Sequence, residues 1–379
     1  MAEEKETGMK KFKIIRLCVI STLLSCMLFG TSAFAAEGKN VQINKTNFPD
    51  KCFREYVRLF DVDEDESLSP KELERVTVIR ITPEDEIFED YILTGIECDL
   101  KGIENFTSLQ KITIKGVSIK EIKLKYFPKL RRFVYSVDED ATNKTLDFSK
   151  NSRLESALIK SKAVTKILFP NISNLKEVSL YDAKISKLDL KNNTTIEKLL
   201  IARTKFREVD ETTFKISPKA KLNSFIIQGC DSLRKIDVSH LKNLENLTVQ
   251  YAKNEVQQIK IGKNLKKLTF SNATGMKQMD ARTLIAPEDS LLEGINCKDS
   301  KLVSYDLRHL KNIRYVYLNN DTAQKVDITG CKKMQGLGLY GKQFQELYCK
   351  DTPSLRTVYC SSNNKNQLVC DKEIEIVKY

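Results

Sequence analysis

Residues 175–195 carry the hydrophobic pattern around which the rest of the chain is organised. Both halves of this segment read apolar-x-x-apolar-x-apolar, and the last two apolar residues of each half alternate with polar ones, as in a short β-strand. No continuous helical stripe of apolar residues fits the segment. Two short strands in one turn of chain cannot bury their apolar faces alone, so the pattern predicts a unit that stacks on similar neighbours.

The pattern recurs through most of the chain. Twelve leading apolar positions follow one another at intervals of 21 to 27 residues, and the commonest interval is 21. A base period with occasional insertions is the sequence signature of a stacked solenoid. We therefore predict a mainly β repeat solenoid over residues 81–379, with two short parallel strands in each turn. The leading positions are Leu109, Leu130, Leu154, Leu175, Ile196, Leu222, Leu244, Leu265, Leu292, Ile313, Met334 and Leu355.

Residues 313–328 repeat the chemistry of residues 175–190 position by position. The matching residues are Ile313, Val316, Leu318, Val326, Asp327 and Ile328 with Leu175, Val178, Leu180, Leu188, Asp189 and Leu190. This register resembles the leucine-rich repeat family, and in particular its 21-residue bacterial type with nested half-repeats, sometimes called IRREKO. The resemblance covers about 270 of the 379 residues. It implies a leucine-rich repeat solenoid of the kind found in secreted or surface proteins of Gram-positive bacteria.

Residues 1–35 have the organisation of a secretory signal peptide. Four basic residues at 10–16 precede an apolar core at 17–29, and Ala33 and Ala35 supply small residues for cleavage. A transmembrane anchor and a lipoprotein site at Cys26 are alternatives, but the apolar core is short for an anchor and continues beyond the cysteine. Met9 is a second candidate start. We expect a secreted or cell-surface protein with no transmembrane anchor in the mature chain.

Residues 36–80 differ from the repeats and are expected to form a small helical cap. Phe53, Tyr56, Val57 and Phe60 follow helical spacing and predict an amphipathic helix that begins near Pro49. Residues 61–72 then resemble an EF-hand or dockerin-like calcium loop, with oxygen-bearing side chains at loop positions 1, 3, 5, 9 and 12. This resemblance implies Ca²⁺ as a cofactor, and its ligands would be Asp61, Asp63, Asp65, Ser67, Ser69 and Glu72.

The loop departs from this resemblance at position 6. Glu66 stands where the calcium-loop family has glycine, and a non-glycine residue in that sharp turn costs about 1 kcal/mol. Ser69, Pro70 and Glu72 also fit a helix capping box. Both roles are compatible because the exiting helix begins there. With or without calcium, the segment is expected to cap the first solenoid turn.

Side chains between the apolar positions of the first strand of each turn are expected to point outward. Toward the C-terminal end, these outward positions place tyrosines on neighbouring turns. Amphipathic aromatic side chains on a rigid strand face suit the binding of a peptide or a glycan, although tyrosine is also common on β surfaces generally. The candidate ligand-binding residues are Tyr315, Tyr317, Tyr340 and Tyr359.

The second strand of each turn carries a recurrent aspartate. Equivalent positions lie roughly 4.8 Å apart, so we expect Lys187, Lys235 and Lys325 on the same face to balance these carboxylates, with a cation-binding rail as the alternative. Insertions at 211–220 and 282–291 are expected to form loops on the rim. The aspartates are Asp147, Asp189, Asp210, Asp237, Asp280, Asp306 and Asp327, and the asparagines expected to bond the corner backbone are Asn174, Asn243, Asn264 and Asn312.

Cysteine placement favours buried free thiols. Eight of the ten cysteines follow residue 35, a number that suggests disulfides in an exported chain. Cys297 and Cys360 occupy inward positions of the first strand, and Cys349 and Cys370 occupy inward positions of the second. Free cysteine behaves as a small core residue. A bridge between Cys349 and Cys370, one turn apart, is the alternative.

Composition and motifs argue against an enzyme. The two histidines, His240 and His309, lie three turns apart in matching repeat contexts, and no phosphate-binding or nucleophile motif is present. The net charge of +12 favours anionic surroundings such as wall polymers, without indicating specific nucleic-acid binding. Two functions remain: a monomeric module that binds protein or glycan through the solenoid face, or a calcium-stabilised, wall-associated structural protein held by its basic surface.

Overall fold

The computed structural model describes residues 38–84, 86–88, 96–137, 143–171, 174–251, 256–272, 276–319, 322–341, 344–361, 367–370 and 373–378. The signal-peptide prediction at 1–35 lies outside these residues. The chain divides into two units, the first ending at Asn143 and the second beginning at Lys144. Among the described helices, none is long and apolar enough to cross a membrane.

Two short helices open the first unit, close to where the sequence predicts them. Helix α1 (Lys51–Val57) begins after Asp50, whose carboxylate accepts a hydrogen bond from the backbone N–H of Phe53 at 2.9 Å. Helix α2 (Pro70–Arg75) begins with the predicted capping box, in which Ser69 and Glu72 exchange side-chain and backbone hydrogen bonds. Turns of 3₁₀ helix occur at Arg58–Phe60, Glu86–Phe88, Ile103–Asn105 and Leu124–Tyr126.

The strands of the first unit pair in two groups. Strands β1 (Val41–Gln42) and β2 (Ser67–Leu68) pair antiparallel and fix the end of the acidic loop. Strands β3 (Val78–Ile81), β4 (Lys111–Lys115) and β5 (Arg132–Ser136) pair parallel and in register.

Aromatic side chains join the first helix to the rest of this unit. The Tyr56 ring centroid lies 5.4 Å from that of Phe88, and the Phe60 centroid lies 5.6 Å from that of Phe106. The Tyr56 hydroxyl also accepts a hydrogen bond from the backbone N–H of Arg80, in β3, at 3.0 Å. Full burial of one such ring contributes roughly 1.5–3 kcal/mol. These contacts hold the predicted cap against the sheet of its own unit.

The second unit consists of alternating longer and shorter strands. In chain order they are β6 (Thr145–Asp147), β7 (Ser156–Lys160), β8 (Lys166–Leu168), β9 (Glu177–Tyr181), β10 (Leu188–Leu190), β11 (Lys198–Ala202), β12 (Glu208–Val209), β13 (Phe214–Ile216), β14 (Ser224–Gln228), β15 (Lys235–Asp237), β16 (Asn246–Gln250), β17 (Gln258–Lys260), β18 (Lys267–Ser271), β19 (Gln278–Met279), β20 (Leu284–Ile285), β21 (Gly294–Lys298), β22 (Ser304–Asp306), β23 (Tyr315–Asn319), β24 (Lys325–Asp327), β25 (Gly336–Leu339), β26 (Glu346–Tyr348), β27 (Thr357–Cys360), β28 (Gln367–Val369) and β29 (Glu375–Lys378).

The parallel order of these strands confirms a β-solenoid. The first strands of successive turns pair in the order β7, β9, β11, β14, β16, β18, β21, β23, β25, β27 and β29. The second strands form smaller parallel sheets, β6–β8, β10–β13, β12–β15–β17–β20 and β19–β22–β24–β26–β28. Apolar residues of both strands face inward and are buried, as the repeat pattern predicts.

The prediction of simple rim loops at the two insertions is wrong. The insertion at 211–220 contains β13, which pairs with β10, and the insertion at 282–291 contains β20, which pairs with β17. Phe214 and Leu284 are buried at 1 % and 0 % exposure, because each insertion supplies the apolar residue that its turn needs for the core. The inserted residues therefore add second strands.

Successive turns are joined at a left-handed corner after the first strand. Six consecutive first strands, from β9 to β21, are each followed by a residue with φ between 49° and 61°. The backbone N–H of each corner residue donates to a carbonyl of the next first strand at 2.7–3.0 Å. A non-glycine residue in this conformation costs about 1–2 kcal/mol, so the inter-turn hydrogen bonds must offset the strain. The corner residues are Asp182, Arg203, Gly229, Tyr251, Asn272 and Asp299.

Asparagine side chains close the opposite corner, which confirms their predicted role at three positions. Asn243, Asn264 and Asn312 donate from Nδ2 to backbone carbonyls of the preceding turn at 2.6–2.7 Å. Asn312 also accepts a hydrogen bond from Lys333 Nζ at 2.6 Å, so it touches three successive turns. These amides satisfy carbonyl groups that no strand reaches.

The interpretation of the cysteines as free thiols is wrong for one pair. Cys349 and Cys370, which directly follow the second strands β26 and β28, form a disulfide with Cα atoms 4.7 Å apart. The 21-residue period brings equivalent positions within bridging distance. Cys297 and Cys360 are buried thiols, as predicted.

Replacing Asn312 by alanine should lower the free energy of unfolding by about 1–2 kcal/mol, because the Ser290 carbonyl loses its amide donor. Urea denaturation followed by circular dichroism measures the change. Asn319→Ala, on the exposed face of β23, is the matched control and should shift stability by less than about 0.5 kcal/mol. Equal effects of the two substitutions would contradict the corner role.

Candidate functional site

The outward side of the first strands in the second unit forms one continuous face, which we call the strand face. Backbone pairing places the middle residue of each strand directly beside the middle residue of the next. These residues form a row across eleven strands, here named the central column. Its members are Leu158, Ser179, Leu200, Ile226, Thr248, Thr269, Asn296, Tyr317, Gly338, Tyr359 and Val377.

No member of the central column is charged, although 30 % of the residues in the chain are Asp, Glu, Lys or Arg. Charged residues of the strand face stand instead at the strand ends, for example Lys198 and Lys267 at the start and Lys298 at the end of their strands. Depletion of charge at the centre and its retention at the rim are typical of protein-binding surfaces. The central column therefore has the low content of charged residues that is typical of the core of a protein interface.

The structure brings the predicted tyrosines together at the C-terminal part of this face. Tyr315 and Tyr317 lie on β23, Tyr340 directly follows β25, and Tyr359 lies on β27. The exposed fractions of Tyr315, Tyr317 and Tyr340 are 41 %, 42 % and 36 %, whereas Tyr359 is half-buried. The Tyr315 hydroxyl donates to Gln335 Oε1 at 2.6 Å, which fixes one ring. We call these four residues the tyrosine platform.

Two glycines on β25 allow the platform to form, and the sequence analysis missed them. A Cβ atom added to Gly338 would lie 2.7 Å from Tyr340 Cε2 and 2.9 Å from Tyr317 Cδ1. One added to Gly336 would lie 3.2 Å from Tyr315 Cδ1. The tyrosine rings therefore lie so close to the glycine backbone that a side chain at Gly336 or Gly338 would crowd them. The signal was present as Gly-Leu-Gly, an alternation that leaves one side of a strand without side chains.

The second strands carry the aspartate row, and its carboxylates are used by the scaffold. Each aspartate accepts a hydrogen bond from the backbone N–H two residues later, which closes the turn after the strand. Arg308 binds Asp306 through Nε and Nη2 at 2.8 and 2.7 Å and holds the pKa of Asp306 below its usual value. The expected balancing role of Lys325 is wrong, because its Nζ lies 3.5 Å from Glu346.

The acidic loop of the first unit gathers three of the predicted metal ligands. Carboxylate oxygens of Asp61, Asp63 and Asp65 lie within 4.8 Å of one another. Asp61 is buried and accepts hydrogen bonds from the backbone N–H groups of Asp65 and Glu66 at 3.3 and 3.0 Å. Burial raises the pKa of Asp61. A divalent cation among these oxygens would offset both the burial and the mutual repulsion of the carboxylates.

The other predicted ligands have structural partners. Glu72 accepts hydrogen bonds from the backbone N–H of Val62 at 2.6 Å and from Ser69 at its other oxygen. The Ser67 hydroxyl donates to Asp65 Oδ1 at 2.7 Å. Glu66 adopts φ 62°, so this left-handed backbone conformation forms here without glycine. The donor set that fits a hard cation is thus Asp61, Asp63 and Asp65.

The histidines and thiols of the second unit occupy structural positions. The Nε2 atom of His309 lies 3.0 Å from the carbonyl oxygen of Leu284, and burial lowers the pKa of both His240 and His309. Cys297 Sγ lies 3.1 Å from Ser300 Oγ, and burial raises the pKa of this thiol to about 11. A thiol of high pKa is a poor nucleophile at neutral pH.

Comparison with solved structures finds bacterial repeat proteins. The functional domain of InlJ from Listeria monocytogenes is 15 % identical, covers 88 % of this chain and 78 % of its own, and gives a TM-score of 0.39. The internalin InlF from Listeria monocytogenes is 14 % identical over 89 % of this chain and 99 % of its own, with a TM-score of 0.44. A leucine-rich repeat protein from Leptospira interrogans is 13 % identical over 79 % and 88 %, with a TM-score of 0.35.

No protein-family model matches the sequence, and no curated protein matches it either. The class of protein that the strand order defines is the β-solenoid, in which strands of successive turns pair in parallel.

Replacing Gly338 by alanine should disturb the tyrosine platform, because the new Cβ forces two rings to move. Gly294→Ala is the matched control, since its Cβ would meet only Lys267 Cγ at 3.8 Å. The control should gain about 0.4–1 kcal/mol through the unfolded state. Near-ultraviolet circular dichroism reports tyrosine packing directly, because the chain has no tryptophan. Indistinguishable spectra for the two variants would contradict the packing described.

Proposed function

We propose that the protein is a non-enzymatic binding module whose strand face recognises a protein ligand. The observation that carries this proposal is the uncharged central column, which crosses eleven strands of a chain with a net charge of +12. The tyrosine platform supplies the large, rigid aromatic side chains that dominate binding energy at interfaces. The backbone groups under the column are already paired between strands, so a ligand contacts side chains rather than adding a strand.

The dimensions of the strand face fit a protein partner. Eleven strands spaced about 4.8 Å apart give a length of roughly 48 Å, and three outward positions per strand give a width of about 13 Å. The resulting area, about 600 Å², is close to the roughly 800 Å² that one partner buries in a standard interface. A single sugar unit would cover only a small part of it. The size therefore fits a protein partner.

Combining Tyr317→Ala with Tyr340→Ala should weaken capture of a protein ligand from host or bacterial surface extracts by at least about 30-fold, the equivalent of 2 kcal/mol. Quantitative pull-down on the immobilised protein measures this loss. Tyr348→Ala is the control, because Tyr348 lies on β26, a second strand. Equal retention by both variants would contradict recognition through the strand face.

A wall-associated role is the second proposal, and it rests on lysines at the corners between turns. Lys221, Lys242 and Lys266 line an open depression of about 470 Å³ together with three asparagines and Glu245, which pairs with Lys266 at 2.8 Å. Lysines on successive turns suit an anionic polymer with repeating charges. Such binding weakens steeply with salt, whereas binding to the uncharged column does not. Binding that persists at about 0.5 M salt would contradict the wall-polymer role.

We further propose that calcium stabilises the first unit through Asp61, Asp63 and Asp65. The convergence of their oxygens and the burial of Asp61 support this role. Ca²⁺ would supply positive charge that the loop lacks and would fix the segment between α1 and β2.

Adding Ca²⁺ at about 100 times its dissociation constant should stabilise this unit by roughly 2.7 kcal/mol, seen as a rise in its thermal midpoint. Asp63→Asn should reduce the rise, because one carboxylate ligand loses its charge. Glu74→Gln, an exposed acid on α2, removes the same charge outside the cluster and should leave the rise intact. No calcium-dependent shift, or an equal shift in both variants, would exclude the site.

Export of the protein is also a proposal, supported by the basic, apolar and small-residue regions of residues 1–35. N-terminal sequencing of the secreted chain should begin at Ala36. Retention of residues 1–35 in the mature chain would contradict this proposal.

A further inference from the structure

Two histidines occupy equivalent positions in the second unit, each in the turn that follows an insertion. His240 lies after β15 and lines a depression beside the insertion at 211–220, and His309 lies after β22 next to the insertion at 282–291. In both turns the residue after the histidine donates its backbone N–H to the carbonyl three residues earlier, at 3.0 and 2.9 Å. The two backbones therefore match, and the imidazoles differ in their surroundings.

The difference lies at the Nε2 atom of each ring. Nε2 of His309 lies 3.0 Å from the carbonyl oxygen of Leu284, in β20. A carbonyl oxygen only accepts hydrogen bonds, so this nitrogen carries a proton and donates in the neutral ring. Nε2 of His240 is also buried, but none of the described residues offers it a hydrogen-bond partner. A buried nitrogen without a partner costs free energy, and a positive charge on its ring costs more.

Charged groups of both signs surround the His240 ring. Carboxylates of its own turn and of the segment before β13 favour protonation of the ring, whereas lysines of β13, of β17 and of the corner after β10 oppose it. Burial is the largest effect and lowers the pKa of His240. The charged groups are Asp210, Glu211, Asp237, Lys191, Lys215 and Lys260.

Strand β13 attaches the insertion at 211–220 to the solenoid. Its three residues pair in parallel with β10, and the Phe214 ring centroid lies 4.7 Å from that of Phe206. Ile216, at the end of β13, lines the same depression as His240. A short segment of this kind opens locally at a lower free-energy cost than global unfolding. A charge on the imidazole therefore acts on a segment that can detach.

We infer that the insertion at 211–220 is an acid-sensitive segment, in which uptake of a proton by His240 favours detachment of β13 from β10, while the insertion at 282–291 stays attached. Detachment lets the His240 imidazolium reach water. The ring of His309 keeps its Nε2 hydrogen bond to Leu284 when it is protonated, so acid leaves that contact in place.

The direction of the effect follows from proton binding. In the detached state His240 takes up its proton near the ordinary histidine pKa of about 6.5, and in the attached state it does so only at lower pH. The attached state is therefore fully favoured above about pH 6.5 and loses this advantage as the pH falls. One such histidine can raise the detachment equilibrium by at most about 30-fold between about pH 7.5 and about pH 5.

Hydrogen exchange of the full chain, measured by mass spectrometry at these two pH values and corrected for the intrinsic exchange rate, tests the inference. The opening equilibrium of peptides covering 211–220 should rise about 10- to 30-fold at the lower pH, and that of peptides covering 282–291 less than about threefold. His240→Leu, which cannot titrate, should reduce the rise at 211–220 to less than about threefold. His309→Leu is the matched control and should keep the wild-type rise there.

Equal rises at 211–220 in the wild type and in His240→Leu, or equal opening of both insertions, would overturn the inference. A measurement on the wild type does not depend on how the variants fold. The chain contains two histidines, so nuclear magnetic resonance of the imidazole C–H groups follows both rings in one titration. His240 should titrate below His309, and a His240 midpoint at or above that of His309 would also overturn the inference.

Discussion

The hydrogen-bonded register between successive first strands is the constraint on which the second unit depends. A change of one residue in the path from one strand to the next would turn inward residues outward and expose the core. The path is fixed at the left-handed corner. Residues such as Arg203 and Tyr251 adopt a strained conformation there, and their backbone N–H groups donate a hydrogen bond to the next turn. Asparagines such as Asn312 fix the opposite corner.

Exact register also creates the candidate binding surface. Equivalent outward residues lie one strand spacing apart. They therefore form rows of similar side chains that extend over many repeats. The second-strand row consists of aspartates that bond to their own turns, so those side chains are committed to the scaffold. The members of the first-strand row are uncharged. The two faces of one repeat therefore differ in chemistry.

The period and the alternation of apolar residues predict the solenoid, the helices of the first unit and the positions of the tyrosines, because both are properties of the sequence itself. Features that depend on neighbours in space could not be predicted in this way. The glycine positions matter only because rings from β23 lie over them, and Phe214 becomes a strand residue only because β10 offers a partner. The left-handed corners fall on Arg203 and Tyr251, residue types that do not signal that conformation. Arg308, rather than a lysine, neutralises the carboxylate of Asp306, because its guanidinium group donates to both carboxylate oxygens.

The most direct test of recognition through the strand face is tyrosine-selective labelling of the full chain, with and without a captured protein ligand. Binding to the strand face should protect Tyr317 and Tyr340, which are 42 % and 36 % exposed, while Tyr348 on the second-strand face is labelled equally in both states. Protection of Tyr348 with undiminished labelling of Tyr317 and Tyr340 would show that the ligand binds elsewhere.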